Sequence, residues 1–355
     1  LKLMKHVQQA SQENILVIGP SWVGDMVMAQ SLFMQLKKDY KNSRLSVMAP
    51  EWTRPLLDRM PEVESSIGLP LRRGKLNFLA RRALGKSLKA ENFTRAIVLP
   101  NSFKSALIPF YADIPRRIAW RGEWRNLLLT DFGKLNKEKF PLMVQRFAAL
   151  ADPGFEEPLR AIAKPRLHSD PVTVAATLEQ FELQRSGKIL AICPGAEFGK
   201  AKQWPAAHYA SACNSLIAEG WKVWIFGSSN DKAIAQAILA DIEPVHRKSC
   251  VSLAGRTSLA QAIDIMSATD AAISNDSGLM HIAAALDKPV VALYGSTSPD
   301  FTPPLADRVR LLATDIECRP CFKRDCPYGH LRCLTELEPV RAVTAIHELT
   351  ATEQE

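Results

Sequence analysis

No apolar run in this 355-residue chain reaches the length needed to span a bilayer. Its first stretch, residues 1–13, has no apolar centre and does not read as a secretory signal. The expectation is a ragged N-terminal extension on a cytosolic protein. The first strand and its loop lack the three-glycine fingerprint of a dinucleotide site, which argues against NAD. No Asp-x-Asp pair lies near the motifs described below, and no cofactor is expected. Nor does any recognised nucleic-acid module occur, so a nucleic-acid partner is not expected. Cysteine is sparse, with seven in all, and Cys193, Cys213 and Cys250 are scattered singly. They read as buried, inert thiols.

What is present is ordinary soluble-protein material, 47% hydrophobic and 23% charged, with a net charge of +8. The length favours two domains. The charge is uneven: residues 1–170 carry 28 Lys and Arg against 16 Asp and Glu, a net of +12, and the remainder nets −4. A basic first half suits an acidic partner, whether nucleic acid, an anionic membrane surface or a phosphorylated substrate.

Short apolar runs alternate with helical stretches through both halves. Asn14–Gly19, Leu45–Pro50 and Ala96–Pro100 read as buried strands, with helices over Met26–Tyr40, Thr53–Met60 and Ser102–Tyr111. From Asp152 to Pro171 the chain is proline-rich and irregular, a natural linker. Beyond it the strands Lys188–Cys193, Trp221–Phe226, Val251–Leu253, Ala271–Ile273 and Pro289–Gly295 alternate with helices again. The expected fold is α/β: two doubly wound, Rossmann-like domains facing a cleft, over 14–165 and 172–338, with a C-terminal helix and tail at 339–355.

The most informative stretch is Ser274-Asn275-Asp276-Ser277-Gly278-Leu279-Met280-His281. A strand leads into it and a small-residue helix leaves it. Ser277 can cap, Gly278 lets a ligand approach the backbone, and the free N–H groups of the first turn attract an anion. His281 projects from the same helix near that mouth. Spacing alone is equally compatible with an ordinary N-cap and a core histidine. In the first half, Pro20-Ser21-Trp22-Val23-Gly24-Asp25 brings one carboxylate, Asp25, to the carboxyl end of the first strand, or else only caps the helix.

Two basic clusters lie in the first half. One holds Arg72, Arg73, Lys75, Arg81, Arg82, Lys86 and Lys89. The other holds Arg116, Arg117, Arg121 and Arg125, interleaved with Trp120 and Trp124. Any single member reads most simply as a solvated face, but their joint excess favours an anionic surface. The remaining cysteines form Cys318-x2-Cys321-x4-Cys326-x6-Cys333. Reduced thiols in a loop that packs the tail are the expectation; a tetrahedral metal and a disulfide remain open.

Four motifs together carry a resemblance. Gly-Pro-Ser-Trp-Val-Gly-Asp at 19–25, Pro-Gly-Ala-Glu-Phe-Gly-Lys-Ala-Lys-Gln-Trp-Pro at 194–205, Asn-Asp-Ser-Gly-Leu-Met-His at 275–281 and Tyr-Gly-Ser-Thr-Ser-Pro-Asp-Phe-Thr-Pro-Pro at 294–304 resemble the bacterial ADP-heptose:lipopolysaccharide heptosyltransferases. The similarity runs from about 14 to 350, and it is greatest to the branch that adds the second heptose. It implies the GT-B fold, with acceptor in the first domain and nucleotide-sugar in the second. The implied reaction is inverting, metal-independent transfer of L-glycero-D-manno-heptose from ADP-heptose to heptosyl-Kdo2-lipid A. A nucleotide-sugar epimerase or hydrolase of the same fold is the alternative.

By position, the resemblance makes Asp25 the general base and Lys202 the lysine on the donor phosphates. Asp276, Ser277 and Gly278 become the turn holding the diphosphate and sugar, with His281 nearby. Thr257 falls at the adenine pocket, and Ser229 stands where relatives place a ribose-binding acid. Glu197-Phe198 replaces a hydroxyl pair, so phosphate contacts there would come from backbone. Arg72, Arg73, Arg81, Arg82 and Arg121 would face the acidic lipid acceptor and the cytoplasmic face of the inner membrane.

Overall fold

The computed structural model describes residues 13–71, 75–152, 154 and 157–351. Among the described residues two compact units emerge, one within 1–21 and 28–163, the other within 22–27 and 164–355. The main boundary falls inside the proline-rich stretch. Segment 22–27, the start of the first long helix, groups with the second unit.

The first unit is built on six parallel strands: β1 (Asn14–Ile18), β2 (Arg44–Ala49), β3 (Ser65–Gly68), β4 (Arg95–Val98), β5 (Arg116–Trp120) and β6 (Asp131–Gly133). They lie in the order β3-β2-β1-β4-β5-β6. The second unit adds β7 (Ile189–Cys193), β8 (Lys222–Ile225), β9 (Cys250–Ser252), β10 (Ala271–Asn275), β11 (Val290–Tyr294) and β12 (Val309–Ala313). Their order, β12-β11-β10-β7-β8-β9, is the same arrangement met again. This is the dinucleotide-fold order, in which the chain reverses direction across the sheet between the first and fourth strands. All neighbouring pairs are parallel.

The central strands read Ile-Leu-Ala-Ile-Cys, Ala-Ala-Ile-Ser-Asn and Val-Val-Ala-Leu-Tyr, and every one of those residues is buried. Helices cover both faces, so no polar alternation survives there. In the second unit the core joins Leu190, Ile192, Trp204, Tyr209, Leu216, Val223, Ile273 and Leu293. Ala342, Val343, Ile346 and Leu349 of the helix Pro339–Thr350 belong to the same core. The tail helix is therefore an integral layer of that unit. A separate core in the first unit holds Leu16, Ile18, Ala96, Val98, Leu107, Ile108 and Ile114.

Element ends moved by a few residues from the sequence reading. The first long helix begins at Val23 rather than Met26 and ends at Asp39, with Asp25 in its first turn and Lys37 and Lys38 in its last. Both charges complement the helix dipole. Asp25 is consequently a first-turn residue on a rigid element, not part of a free loop. Among the described residues no helix is long and apolar enough to cross a membrane.

Candidate active site

The reversal point of the second sheet lies between β7 and β10, and ligands of open α/β sheets bind outside the carboxyl ends of such strands. Residues 194–202 follow β7 there, and Asp276–Gly278 follow β10. Asn275, the last residue of β10, ties the two together. Its carboxamide oxygen accepts from the Trp204 amide at 3.1 Å and the Tyr209 hydroxyl at 2.9 Å, and its amide donates to the Pro194 carbonyl at 2.7 Å. All four residues are buried. A fully buried carboxamide with its groups satisfied fixes the loop geometry.

On this frame Lys202 Nζ donates to Asp276 Oδ2 at 2.6 Å. Thr297 Oγ1, also buried, donates to the same oxygen at 2.6 Å. Lys202 also lies 5.0 Å from the centre of the Phe198 ring, and Arg324 lies 5.4 Å from the same ring. The Glu197-Phe198 pair thus supplies an aromatic face between two cations where a hydroxyl pair would have supplied donors.

The helix Gly278–Ala285 begins beside this ion pair, with Ser277 at its N-cap. Ser277 makes no side-chain capping bond; its hydroxyl lies 3.3 Å from that of Ser274. The side-chain cap expected from the sequence is therefore not made, and Ser277 does not take up the first-turn N–H groups that favour an anion. Gly278 is closely packed on its Cβ side. A Cβ there would stand 2.9 Å from Val23 Cβ and 3.3 Å from the Gly24 amide nitrogen. Gly24 is equally confined, since a Cβ on it would meet His281 Cδ2 at 2.8 Å. The two glycines let the 22–27 segment lie against the helix start, and that contact carries Asp25 into the field of Lys202 and Asp276.

The electrostatics follow. Burial raises the Asp25 carboxyl to about 6, with Lys202 opposing the rise and Asp276 adding to it. Burial lowers His281 to about 4, against the pull of Asp276 and with help from Lys202, so its imidazole is neutral at pH 7. One carboxylate poised near neutrality, one lysine and one open helix start occupy the same corner. That set can accept a proton and stabilise a departing anion.

Ser229 is exposed in the turn Ser229–Asp231. Two residues on, Asp231 accepts from the Ser228 amide and hydroxyl, each at 2.8 Å, and a Cβ on Gly195 would touch its carboxylate at 2.7 Å. The sequence reading set Ser229 where relatives place a ribose-binding acid and did not single out this neighbouring carboxylate. Its signal was the Ser-x-x-Asp capping spacing at 228–231. Thr257 is half-buried in the turn between Gly255 and Ser258, the N-cap of the helix Leu259–Ser267. Asn275 and Thr297 were likewise not singled out, although both stand inside the quoted motifs.

The basic clusters come out differently. Arg72 and Arg73 lie outside the described residues. Arg81 is not surface-facing: it is buried, its Nε donates to the Leu76 carbonyl at 2.8 Å, and burial lowers its pKa. Arg125 is fully buried and donates to the carbonyls of Pro100 at 2.5 Å and Trp120 at 2.7 Å and to Asn101 Oδ1 at 2.9 Å. It organises the loop after β4. Arg117 spends Nε and Nη1 on the Leu128 and Ile114 carbonyls, and Arg116 pairs with Asp131 at 2.9 Å. Arg82 and Arg121 are exposed.

Two halves of this strand order, with the site at the reversal point of the second, place the chain among the GT-B glycosyltransferases. Residues 81–332 match the model of glycosyltransferase family 9 (heptosyltransferase), and the chain belongs to that family. It is 46% identical over 344 residues to lipopolysaccharide heptosyltransferase 2 of Salmonella typhimurium, covering 96% of this chain and 99% of that one. To lipooligosaccharide heptosyltransferase 2 of Haemophilus influenzae it is 45% identical over 349 residues, covering 95% and 99%. The solved structure of ADP-heptose lps heptosyltransferase II of Escherichia coli superimposes with a TM-score of 0.87 at 44% identity, over 96% of this chain and 100% of that one.

Proposed function

We propose that this enzyme transfers L-glycero-D-manno-heptose from ADP-heptose to the heptose of heptosyl-Kdo2-lipid A, inverting the anomeric centre. The observation that carries the reading is the near-full-length likeness to heptosyltransferases 2 on both sequence and fold. The second domain's corner supports a mechanism. Asp25 accepts the proton of the acceptor hydroxyl as that oxygen attacks the anomeric carbon. The bond from that carbon to the β-phosphate oxygen breaks, and ADP departs with the electron pair. Lys202 and the N–H groups at Gly278 stabilise the leaving charge. Asp276 is itself an anion, so it acts by holding Lys202 in place with Thr297, not by meeting phosphate.

Neutral His281 supports the 22–27 segment without adding charge. Asp231 is a better candidate than Ser229 for a ribose hydroxyl, and Thr257 lines the base. Arg82 and Arg121 serve acceptor or anionic membrane contact at the cytoplasmic face. The test is mass spectrometry of lipopolysaccharide from a strain lacking this gene. A core truncated after one heptose, restored by the gene, is expected; an intact core overturns the reading. Turnover with purified donor and acceptor is expected to need no added Mg²⁺, and a loss on chelation that Mg²⁺ restores would refute the metal-independent route.

A further inference from the structure

Residues 314–331, between β12 and the helix Arg332–Thr335, form no helix or strand. Irregular segments of that length are uncommon unless something holds them. This one has little apolar anchorage of its own, since Phe322 and Tyr328 are exposed. Yet it braces the site. The Ala201 amide, next to Lys202, donates to the Arg324 carbonyl at 2.9 Å, and the Phe322 amide donates to the Ser296 carbonyl at 2.7 Å. A Cβ on Gly199 would run into the Arg324 carbonyl oxygen. The Arg319 guanidinium donates to the carbonyls of Gly295, Thr314 and Thr297 at 3.0, 3.1 and 3.2 Å.

Beneath this brace Cys318, Cys321, Cys326 and Cys333 all line one cavity of about 10 Å³. That is about the space of one water-sized body. All four are free thiols. His330 also borders the cavity, but its ring stacks on Tyr328 and its Nδ1 accepts from the Arg332 amide at 3.0 Å. No group of three or more His, Cys, Asp or Glu side chains among the described residues is already arranged to hold a metal ion. The sulfurs therefore have to rotate inward around an ion to complete the site.

The geometry points to a structural tetrathiolate site at Cys318, Cys321, Cys326 and Cys333 that takes one thiophilic divalent ion, Zn²⁺, and thereby locks the loop carrying Lys202. Four cysteines from a single loop and the helix after it, all lining one ion-sized space, suit tetrahedral thiolate coordination once their sulfurs turn inward. The thiols bind as thiolates and release their protons to solvent. The ion takes no part in sugar transfer, and the assignment stands whichever sugar is moved. Spacing alone favours plain reduced thiols, because it cannot show that the looser Cys326–Cys333 pair reaches the same cavity as Cys318 and Cys321.

The test is metal analysis of the full-length protein, purified reduced and without a metal-affinity tag, then incubated anaerobically with Zn²⁺ and desalted. One zinc per chain is expected, and Co²⁺ in its place should give the d–d and thiolate charge-transfer bands of a tetrahedral sulfur site. Titration of the unmutated protein with a mercurial should release that zinc as four thiols react. Cys321→Ser and Cys326→Ser should each lower zinc at least tenfold, whereas Cys213→Ser should retain it. Less than a tenth of an equivalent in the unmutated protein, a disulfide within the segment, or zinc unaffected by both loop substitutions would overturn the assignment.

Discussion

Burial lifts Asp25 to about 6 even though Lys202 pulls it the other way. A base must be ionised to act, so turnover should rise with pH through about 6 and level off above it. Asp25→Asn should leave ADP binding nearly unchanged and cut turnover roughly 10²–10⁴-fold; normal turnover would reduce Asp25 to a helix-start residue. The same shift has a stability consequence. A carboxyl with a raised folded-state pKa binds more protons folded than unfolded between 3.8 and about 6. Its contribution is therefore fully present below that window and lost as pH rises through it. Asp25→Asn should accordingly stabilise the protein at pH 8, by about 1–3 kcal/mol, and hardly at all near pH 4. Thermal melts of the two proteins at both pH values decide this, and an equal shift at both would contradict the assigned burial effect. Lys202→Ala, removing a charged contact, should weaken ADP binding by about 1.5–3 kcal/mol. Calorimetric titration with ADP checks it, and an unchanged affinity would take Lys202 off the phosphates.

At the level of elements, the site depends on how closely the start of the helix Val23–Asp39 lies against the helix Gly278–Ala285. Gly24→Ala puts a methyl 2.8 Å from His281 Cδ2, and overpacking of this kind costs about 1–3 kcal/mol. If that contact is the cause, His281→Ala in the same chain should recover most of the lost melting temperature, while additive losses would point elsewhere. The alternation of buried runs and helices made both sheets legible in the sequence, because parallel strands covered on both faces are apolar throughout. The turn at Asp276–Gly278 was legible for a similar reason: polar and glycine residues interrupt an apolar βαβ unit. What the glycines are for was not. Gly278 reads from sequence as space for a ligand, and only the three-dimensional structure shows the Val23 side chain and the Gly24 amide packed beside it. Asn275 was overlooked because its work lies in contacts to Trp204, Tyr209 and Pro194, far away along the chain. Arg81 and Arg125 show the limit most clearly, since charge in a sequence carries no record of burial, and these two donate to backbone carbonyls within their own unit.

For the whole molecule, the surplus positive charge of the first half is smaller at the surface than a count of residues suggests. Of the second basic cluster only Arg121 is exposed, and in the first cluster Arg82 is exposed while Arg81 is not. The first unit also exposes Leu79, Trp124 and Leu127, at 76%, 96% and 92%. Scattered exposed apolar side chains next to exposed arginines suit a peripheral contact with an anionic lipid surface, in which each nearby cation contributes about 1 kcal/mol. Arg82→Glu with Arg121→Glu should therefore lower binding to vesicles containing phosphatidylglycerol, and the loss should shrink as salt is raised, because screening shortens the reach of exposed charges. ADP affinity, set at the second sheet, should stay unchanged. Arg81→Glu should behave differently in kind: it buries a carboxylate beside the Leu76 carbonyl, so the melting temperature falls whether or not lipid is present. Equal vesicle binding by the double variant and the parent at low salt would leave Arg82 and Arg121 as solvated side chains, with the acceptor held by other groups.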